Sequence, residues 1–371
     1  MKKVLAICGE TSGDLHLSNL IKNLLKQNPD LQIDAVCGEH TEKNKINKLF
    51  DIKEMNFMGF FEIFKNLRKI ISIENKIKNF IRNNNYSLVI LVDYPGLNLR
   101  LAQFCFNNDL PVIYYICPQI WAWHYSRIYK LIKFCKKLLV IFRFEEEIYK
   151  KENFNEVYFI GHPLLDVFNN YQCKELKKDY IAILPGSRMQ EIKKILPIQI
   201  EVSKLLYHKF DKNFKFLVSF QNTEIENSFK DMLPNFIEYY TGNIYEILSR
   251  SYFALVTSGT ATLETALFEI PMFVFYKVNF LSALLAKYLI NIKNISLVNI
   301  VLNKTVVPEY LQNNLIPEKI AEDAFKLLKN ENEYYRIKSE LKKIKSLLQN
   351  GENKSPNEYA AKIINDYLVS L

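Results

Sequence analysis

Leu255-Val-Thr-Ser-Gly-Thr-Ala-Thr-Leu-Glu264 is a strand end, a turn and a helix start in one short stretch. The apolar run from Tyr252 to Val256 predicts a buried strand, and Thr257 to Thr260 a tight turn of small residues. From Ala261, through Thr262, Leu263, Ala266 and Leu267, the pattern predicts a helix, with Ser258 or Thr260 as its cap. Such a turn directs free backbone N–H groups and the positive end of a helix dipole outward, which suits an anion. An ordinary βα turn has the same outline. Glu264, one helical turn further on, adds a carboxylate suited to sugar or ribose hydroxyls. Phosphate and hydroxyl recognition side by side points to a nucleotide-sugar.

The same strand–loop–helix rhythm runs outward in both directions. Val4 to Cys8 predicts a strand, followed by Gly9-Glu-Thr-Ser-Gly-Asp14 and a helix from about Leu15 to Lys26. This loop lacks the Lys-Ser/Thr of a Walker motif and the third glycine of a dinucleotide fingerprint. Tyr86 to Val92 predicts a strand ending at Asp93-Tyr-Pro-Gly-Leu-Asn98, then a helix from Leu99 to Asn107. Another strand, Pro111 to Cys117, ends in Pro118-Gln-Ile-Trp-Ala-Trp-His124, which holds both tryptophans of the chain. A basic helix over 125–137, strands at 138–142 and 157–160, and Gly161-His-Pro-Leu-Leu-Asp166 complete the first half. Residues 167–179 show no pattern and are assigned as linker. A second series begins at Tyr180, with the turn Pro185-Gly-Ser-Arg188 after a strand at 181–184. Later strands are expected near 214–220, 236–239, 253–256 and 272–275, and an apolar helix from Phe280 to Ile290. Strands alternating with helices predict parallel doubly wound sheets, and their ligand motifs belong just after strand ends. The expected domains are 1–170, 171–350, and a C-terminal helix in 351–371 packing back on the first.

With 371 residues and 49% hydrophobic content, the chain can fill two cores. A net charge of +9 suits an anionic partner. The basic residues are interleaved with Ile, Leu and Phe, which argues against nucleic acid. The six cysteines form no CxxC pair and read as reduced core residues of a cytosolic protein. The start, Met1-Lys-Lys-Val-Leu-Ala-Ile-Cys-Gly9, is too short in apolar residues for a signal peptide. No apolar run reaches the ~20 residues needed to span a bilayer. From Phe57 to Ile71, Phe57, Phe60, Phe61, Phe64, Leu67 and Ile71 recur at helical spacing among basic residues. Such a helix suits an anionic membrane interface; a core helix with a solvated basic face has the same pattern.

Candidate chemistry lies at the strand ends. Arg188, beside Gly186 and Ser187, can grip a diphosphate bidentately, or form a surface ion pair. Asp93, Glu10 and Asp14, with His16 and His162, are candidate bases, each also readable as a cap or core residue. Trp121 and Trp123 can stack on a sugar, line an acyl cleft, or pack at a domain edge. No His/Cys/Asp/Glu set has metal-ligand spacing, so neither a metal nor a cofactor is expected.

Eight of these segments together resemble the lipid-A-disaccharide synthase family. They are Gly9-Glu-Thr-Ser-Gly-Asp14, Phe57-Met-Gly59, Val92-Asp-Tyr-Pro-Gly-Leu-Asn98, Pro118-Gln-Ile-Trp-Ala-Trp123, Gly161-His-Pro163, Leu184-Pro-Gly-Ser-Arg188, Ser258-Gly-Thr-Ala-Thr-Leu-Glu264 and Ser296-Leu-Val-Asn-Ile300. They stand in the family's order. The resemblance implies two Rossmann-like doubly wound parallel-sheet domains facing across a cleft, the GT-B type. It implies an inverting glycosyltransferase that joins UDP-2,3-diacylglucosamine to 2,3-diacylglucosamine 1-phosphate, releasing UDP. It also implies peripheral attachment to the cytoplasmic face of the inner membrane; a homodimer is compatible with it. On this basis Asp93 is the expected base, with Glu10 beside it. Arg188, Gly186, Ser187 and the Ser258–Gly259–Thr260 backbone are expected to hold the diphosphate. Glu264 would take the ribose, and Asn299 would orient the nucleotide-sugar. Phe60, Phe61, Phe64, Trp121 and Trp123 would meet the acylated acceptor. Two departures stand out. The family usually has Ala-Pro-Asp-Phe-Asn where this chain has Tyr94-Pro-Gly-Leu-Asn98, so a second acidic residue is missing and the burden falls on Asp93. It usually has Pro at Val298, which predicts a looser loop before Asn299. The competing readings are a nucleotide-sugar epimerase on the same fold and a non-catalytic binder of anionic lipid.

Overall fold

The structure is a computed structural model that describes residues 2–55, 67–122, 125–172, 177–210, 213–277, 294–352 and 354–371. The chain divides into two compact units. The first is Met1–Asp166 with Leu348–Leu371, and the second is Val167–Leu347.

The first unit is built on β1 (Lys3–Ile7), β2 (Gln32–Cys37), β3 (Asn47–Asp51), β4 (Leu88–Val92), β5 (Val112–Tyr115), β6 (Lys137–Val140) and β7 (Val157–Phe159). These strands form one parallel sheet in the order β3-β2-β1-β4-β5-β6-β7. Helices cover both faces of such a sheet, so its central strands are continuously apolar instead of alternating. Accordingly, Val4 to Ile7 and Leu88 to Val92 are wholly buried. The helix Leu67–Asn83 sends Ile73, Ile77 and Ile81, spaced four apart, into this core.

The second unit repeats the plan. It consists of β8 (Tyr180–Leu184), β9 (Lys215–Phe220), β10 (Ile237–Thr241), β11 (Ser251–Thr257), β12 (Met272–Tyr276) and β13 (Glu309–Leu311). The order is β10-β9-β8-β11-β12-β13, again all parallel. In both sheets the order reverses once: between β1 and β4, and between β8 and β11. The crevice beyond the strand ends at such a reversal is where open α/β sheets bind ligands.

The chain leaves the second unit after Leu347 and completes the first. His162 donates its backbone N–H to the Leu348 carbonyl at 2.8 Å, and the Asn350 amide donates to the Ile160 carbonyl at 2.7 Å. The last helix, Pro356–Ser370, meets the first, Thr11–Gln27, through hydrogen bonds between Gln27 and both Glu358 and Asn365.

Several local expectations are corrected. The first helix begins at Thr11, so most of the Gly9–Asp14 segment is helical. The helix after Asp93 begins at Pro95, four residues early, because proline at the first helical position is pre-set for it. The basic helix runs only over Arg127–Phe134, since Lys137 already belongs to β6. The apolar segment 280–290 lies outside the described residues. Among those described, no helix is long and apolar enough to cross a membrane.

Candidate active site

At the β8/β11 reversal lies a cavity of about 390 Å³. Gly186, Ser187 and Arg188 line one side and Ser258, Gly259, Thr260 and Glu264 the other. The helix Thr260–Leu267 starts in the turn itself, one residue earlier than its pattern suggests. No side chain caps it, contrary to the expected Ser258 or Thr260 cap. Instead Gly259 adopts φ 147°, a conformation glycine enters without strain, and a Cβ there would meet nothing. Ser258 is a partial exception to the expected anion cradle, because its N–H is taken by the Phe275 carbonyl at 2.8 Å. The first-turn N–H groups of Thr260 and Ala261 have no intrahelical acceptor. Across the cavity Gly186 turns with φ 108°. Arg188 is 59% exposed and paired with Glu191 at 3.4 Å. That exposed pair is weak and can yield to a ligand anion.

Glu264 stands one turn into the helix and lines the cavity. Burial pushes its carboxyl up to about 7. The Thr257 hydroxyl, also in the lining, is buried with no partner among the described residues. Glu191, Ser219 and Gln221 complete the polar rim; Ser219 and Gln221 lie at the end of β9, a strand whose loop carries no small-residue signal.

Asn299 is not among the residues lining this cavity. It is fully buried, and its amide is saturated within the chain. It donates to the Val307 carbonyl at 2.8 Å and to Glu309 at 2.7 Å, and accepts from the Val306 and Val307 N–H groups at 2.8 and 3.0 Å. Glu309 also accepts from the N–H groups of Ile295 and Ser296. Ser258 donates to the Ile295 carbonyl at 3.3 Å, so this network backs the turn without entering it. The Val298 departure leaves no loop here: Val298 is buried in the helix Leu297–Val301, which Ser296 caps.

At the β1/β4 reversal of the first unit stand Glu10 and Asp93. Asp93 and Tyr94 have φ values of 44° and 47°, the left-handed region that costs a non-glycine residue about 1–3 kcal/mol. Burial first, and the Glu10 charge second, push the Asp93 carboxyl up to about 6. A carboxyl so placed is a stronger proton acceptor than a solvated one. Asp14, by contrast, is buried and occupied: its carboxylate accepts from the N–H groups of Gly38, His40 and Thr41 at the start of the helix Glu39–Glu42. His162 is buried, pushed down to about 3 by burial, and accepts from the Leu164 N–H. Burial likewise pushes His16 down to about 4. Both imidazoles are therefore poor bases, and Asp93 with Glu10 remain.

Trp121 donates its indole N–H to Glu145 at 3.0 Å and meets Phe142 and Phe144 edge-on. In sequence Glu145 is indistinguishable from its neighbours, the half-buried Glu146 and the exposed Glu147. It is buried, pushed up to about 7, and also accepts from the Ile141 and Phe142 N–H groups. Trp123, Phe60, Phe61 and Phe64 lie outside the described residues. Among the described residues no His/Cys/Asp/Glu group is arranged to hold a metal ion.

The family model for lipid-A-disaccharide synthetase matches residues 4–364. A lipid-A-disaccharide synthase from Syntrophus aciditrophicus is 35% identical over 360 residues, covering 94% of each chain. One from Coxiella burnetii is 33% identical over 378 residues, covering 100% of this chain and 99% of the relative. Among solved structures, a UDP-GlcNAc 2-epimerase from Neisseria meningitidis bound to UDP-GlcNAc superposes with a TM-score of 0.61 at 14% identity, covering 100% of both chains. A calicheamicin glycosyltransferase superposes with a TM-score of 0.63 at 11% identity, covering 100% of this chain and 99% of that one. At these identities the solved structures speak for the fold alone. The sequence relatives span nearly the whole of both chains and go further: this chain belongs to the lipid-A-disaccharide synthetase family, glycosyltransferases of lipid A biosynthesis.

Proposed function

We propose that the chain transfers 2,3-diacylglucosamine from UDP-2,3-diacylglucosamine to 2,3-diacylglucosamine 1-phosphate with inversion, releasing UDP. The second unit holds the donor. Arg188 and the first-turn N–H groups of Thr260 and Ala261 take the diphosphate and stabilise its charge as the glycosidic bond breaks. Glu264 takes the ribose hydroxyls, and Asn299 acts from behind the turn. The first unit supplies the base: Asp93 removes the acceptor hydroxyl proton as that oxygen attacks, and Glu10 keeps the Asp93 carboxyl basic. Trp121 and the 57–71 segment serve the acylated acceptor at an anionic membrane surface, on the cytoplasmic face of the inner membrane.

One observation carries this reading. Both sheet reversals bear ligand-type chemistry, the raised Asp93 carboxyl beside Glu10 at one and an anion-suited cavity with a carboxylate at the other. Purified protein, given detergent-dispersed acceptor and the UDP-linked donor, should form a disaccharide phosphate and one UDP per bond. Epimerisation of a UDP-sugar without acyl chains or acceptor would support the epimerase reading instead. Binding of both lipids without turnover would support the non-catalytic one.

A further inference from the structure

We propose that Asn98 and Tyr114 act together as a clamp on the Asp93 peptide, and are positioning residues for glycosyl transfer. The inference rests on Asp93 being the base.

Glycine is the usual residue where a strand end must enter the left-handed region. Glycine is excluded at position 93 if that residue must also carry a carboxyl. Asp93 and Tyr94 nevertheless take this conformation in succession, which isolated L-residues disfavour. Something else must hold them there. The buried Asn98 amide donates to two successive carbonyls, Val92 at 3.1 Å and Asp93 at 2.7 Å. The Tyr114 hydroxyl, reaching across from β5, donates to the same Asp93 carbonyl at 2.6 Å. The two donors come from different elements, the helix Pro95–Phe106 and β5. Rotation of the Asp93 peptide toward an ordinary conformation would break both bonds and swing the carboxyl away. Gly9 adds a third constraint: a Cβ there would lie 2.2 Å from the Tyr94 ring, so only glycine leaves room for that ring beside the Glu10 loop.

Among the described residues, the titratable groups that act on or with Asp93 are Glu10 and Tyr114, and the Tyr94 backbone N–H, which donates to its carboxyl, lowers its value more weakly than burial raises it. A loosened clamp lets the carboxyl turn toward water and away from Glu10. Both causes of its raised value then weaken, and the value falls.

Tyr114→Phe and Asn98→Ala test the clamp, through kcat and KM against pH and a carbon-13 titration of the aspartate carboxyls. The Asp93 resonance is identified by its loss in Asp93→Asn. Tyr114→Phe should lower kcat about tenfold, the rate equivalent of one hydrogen bond, with the donor KM unchanged. The acidic limb of the profile and the Asp93 resonance should both titrate lower than in the parent. Asn98→Ala should do more of each. If Asn98→Ala does not fold, Tyr114→Phe alone decides. The clamp is overturned if Tyr114→Phe keeps the parent kcat and the parent Asp93 titration. If instead Asp93→Asn retains turnover, the base assignment fails, while the carboxyl titration still judges the clamp.

Discussion

Arg188 and Glu264 show how two residues lining one cavity come to differ. Arg188 is exposed and its ion pair with Glu191 is weak, so a diphosphate can claim its fork at little expense. Arg188→Ala should weaken UDP binding by about 1.5–3 kcal/mol, the range for charge-assisted hydrogen bonds. Arg188→Lys should recover only part, because a point charge replaces a planar fork. Titration calorimetry reads both; an alanine variant with parent affinity would remove Arg188 from the diphosphate site. Glu264 is held up at about 7 by burial alone, so it is substantially protonated at neutral pH. Ribose hydroxyls donate to its ionised form and favour that form. UDP binding should therefore lower its value and release protons near pH 7, in addition to any change on the nucleotide. Calorimetry in two buffers of different ionisation enthalpy measures that release. Glu264→Gln should lack this share of it, and equal release from parent and variant would exclude the ribose contact.

The helix Leu297–Val301 and the residues behind it form an element whose role is support. Asn299→Ala would leave the Val306 and Val307 N–H groups unpaired in a buried place. The expected loss is about 3 kcal/mol. For a unit of this size that is roughly 6–12 °C in the unfolding midpoint. Scanning calorimetry checks it, and a midpoint within about a degree of the parent's would mean the network carries no load. This element also marks where sequence reading stops. The four central strands were legible because strands buried on both faces are uninterrupted apolar runs closed by Gly, Asp or Thr. The polar edge strand β3, Asn-Lys-Leu-Phe-Asp, was not, since an edge strand needs no apolar run. Glu10, Asp93, Gly186, Arg188 and Gly259 could be placed at strand ends, and Glu264 one helical turn beyond, from local pattern alone. The buried networks of Asn299 and Glu145 could not be read from local pattern, because their partners are set by tertiary hydrogen bonds. Nor does sequence foretell that Asp14, one loop from Glu10, is occupied by a distant helix start.

At the scale of the whole molecule, the net charge of +9 and the 57–82 segment support attachment to an anionic surface. The described part of that segment tempers the charge count. Lys78 and Arg100 both pair with Glu74 at 2.6 and 2.7 Å, and Ile73, Ile77 and Ile81 face the core. The proposed surface attraction would therefore rest on the remaining cations and on the phenylalanines. Vesicle binding should fall with rising salt without vanishing, because salt screens charge but not apolar burial. Phe60, Phe61 and Phe64 replaced together by Ser should remove the salt-resistant part; a folded triple variant that co-sediments like the parent would move the contact to the helix Arg127–Phe134. The proposed division of labour puts the base in one unit and the nucleotide in the other. Steady-state turnover and calorimetric UDP affinity, measured on Asp93→Asn, test it most directly. Turnover should drop by at least ~10²-fold, as expected for loss of a positioned base, while UDP affinity stays at the parent value. Near-parent turnover, or a loss of UDP affinity that accounts for the drop, would contradict it.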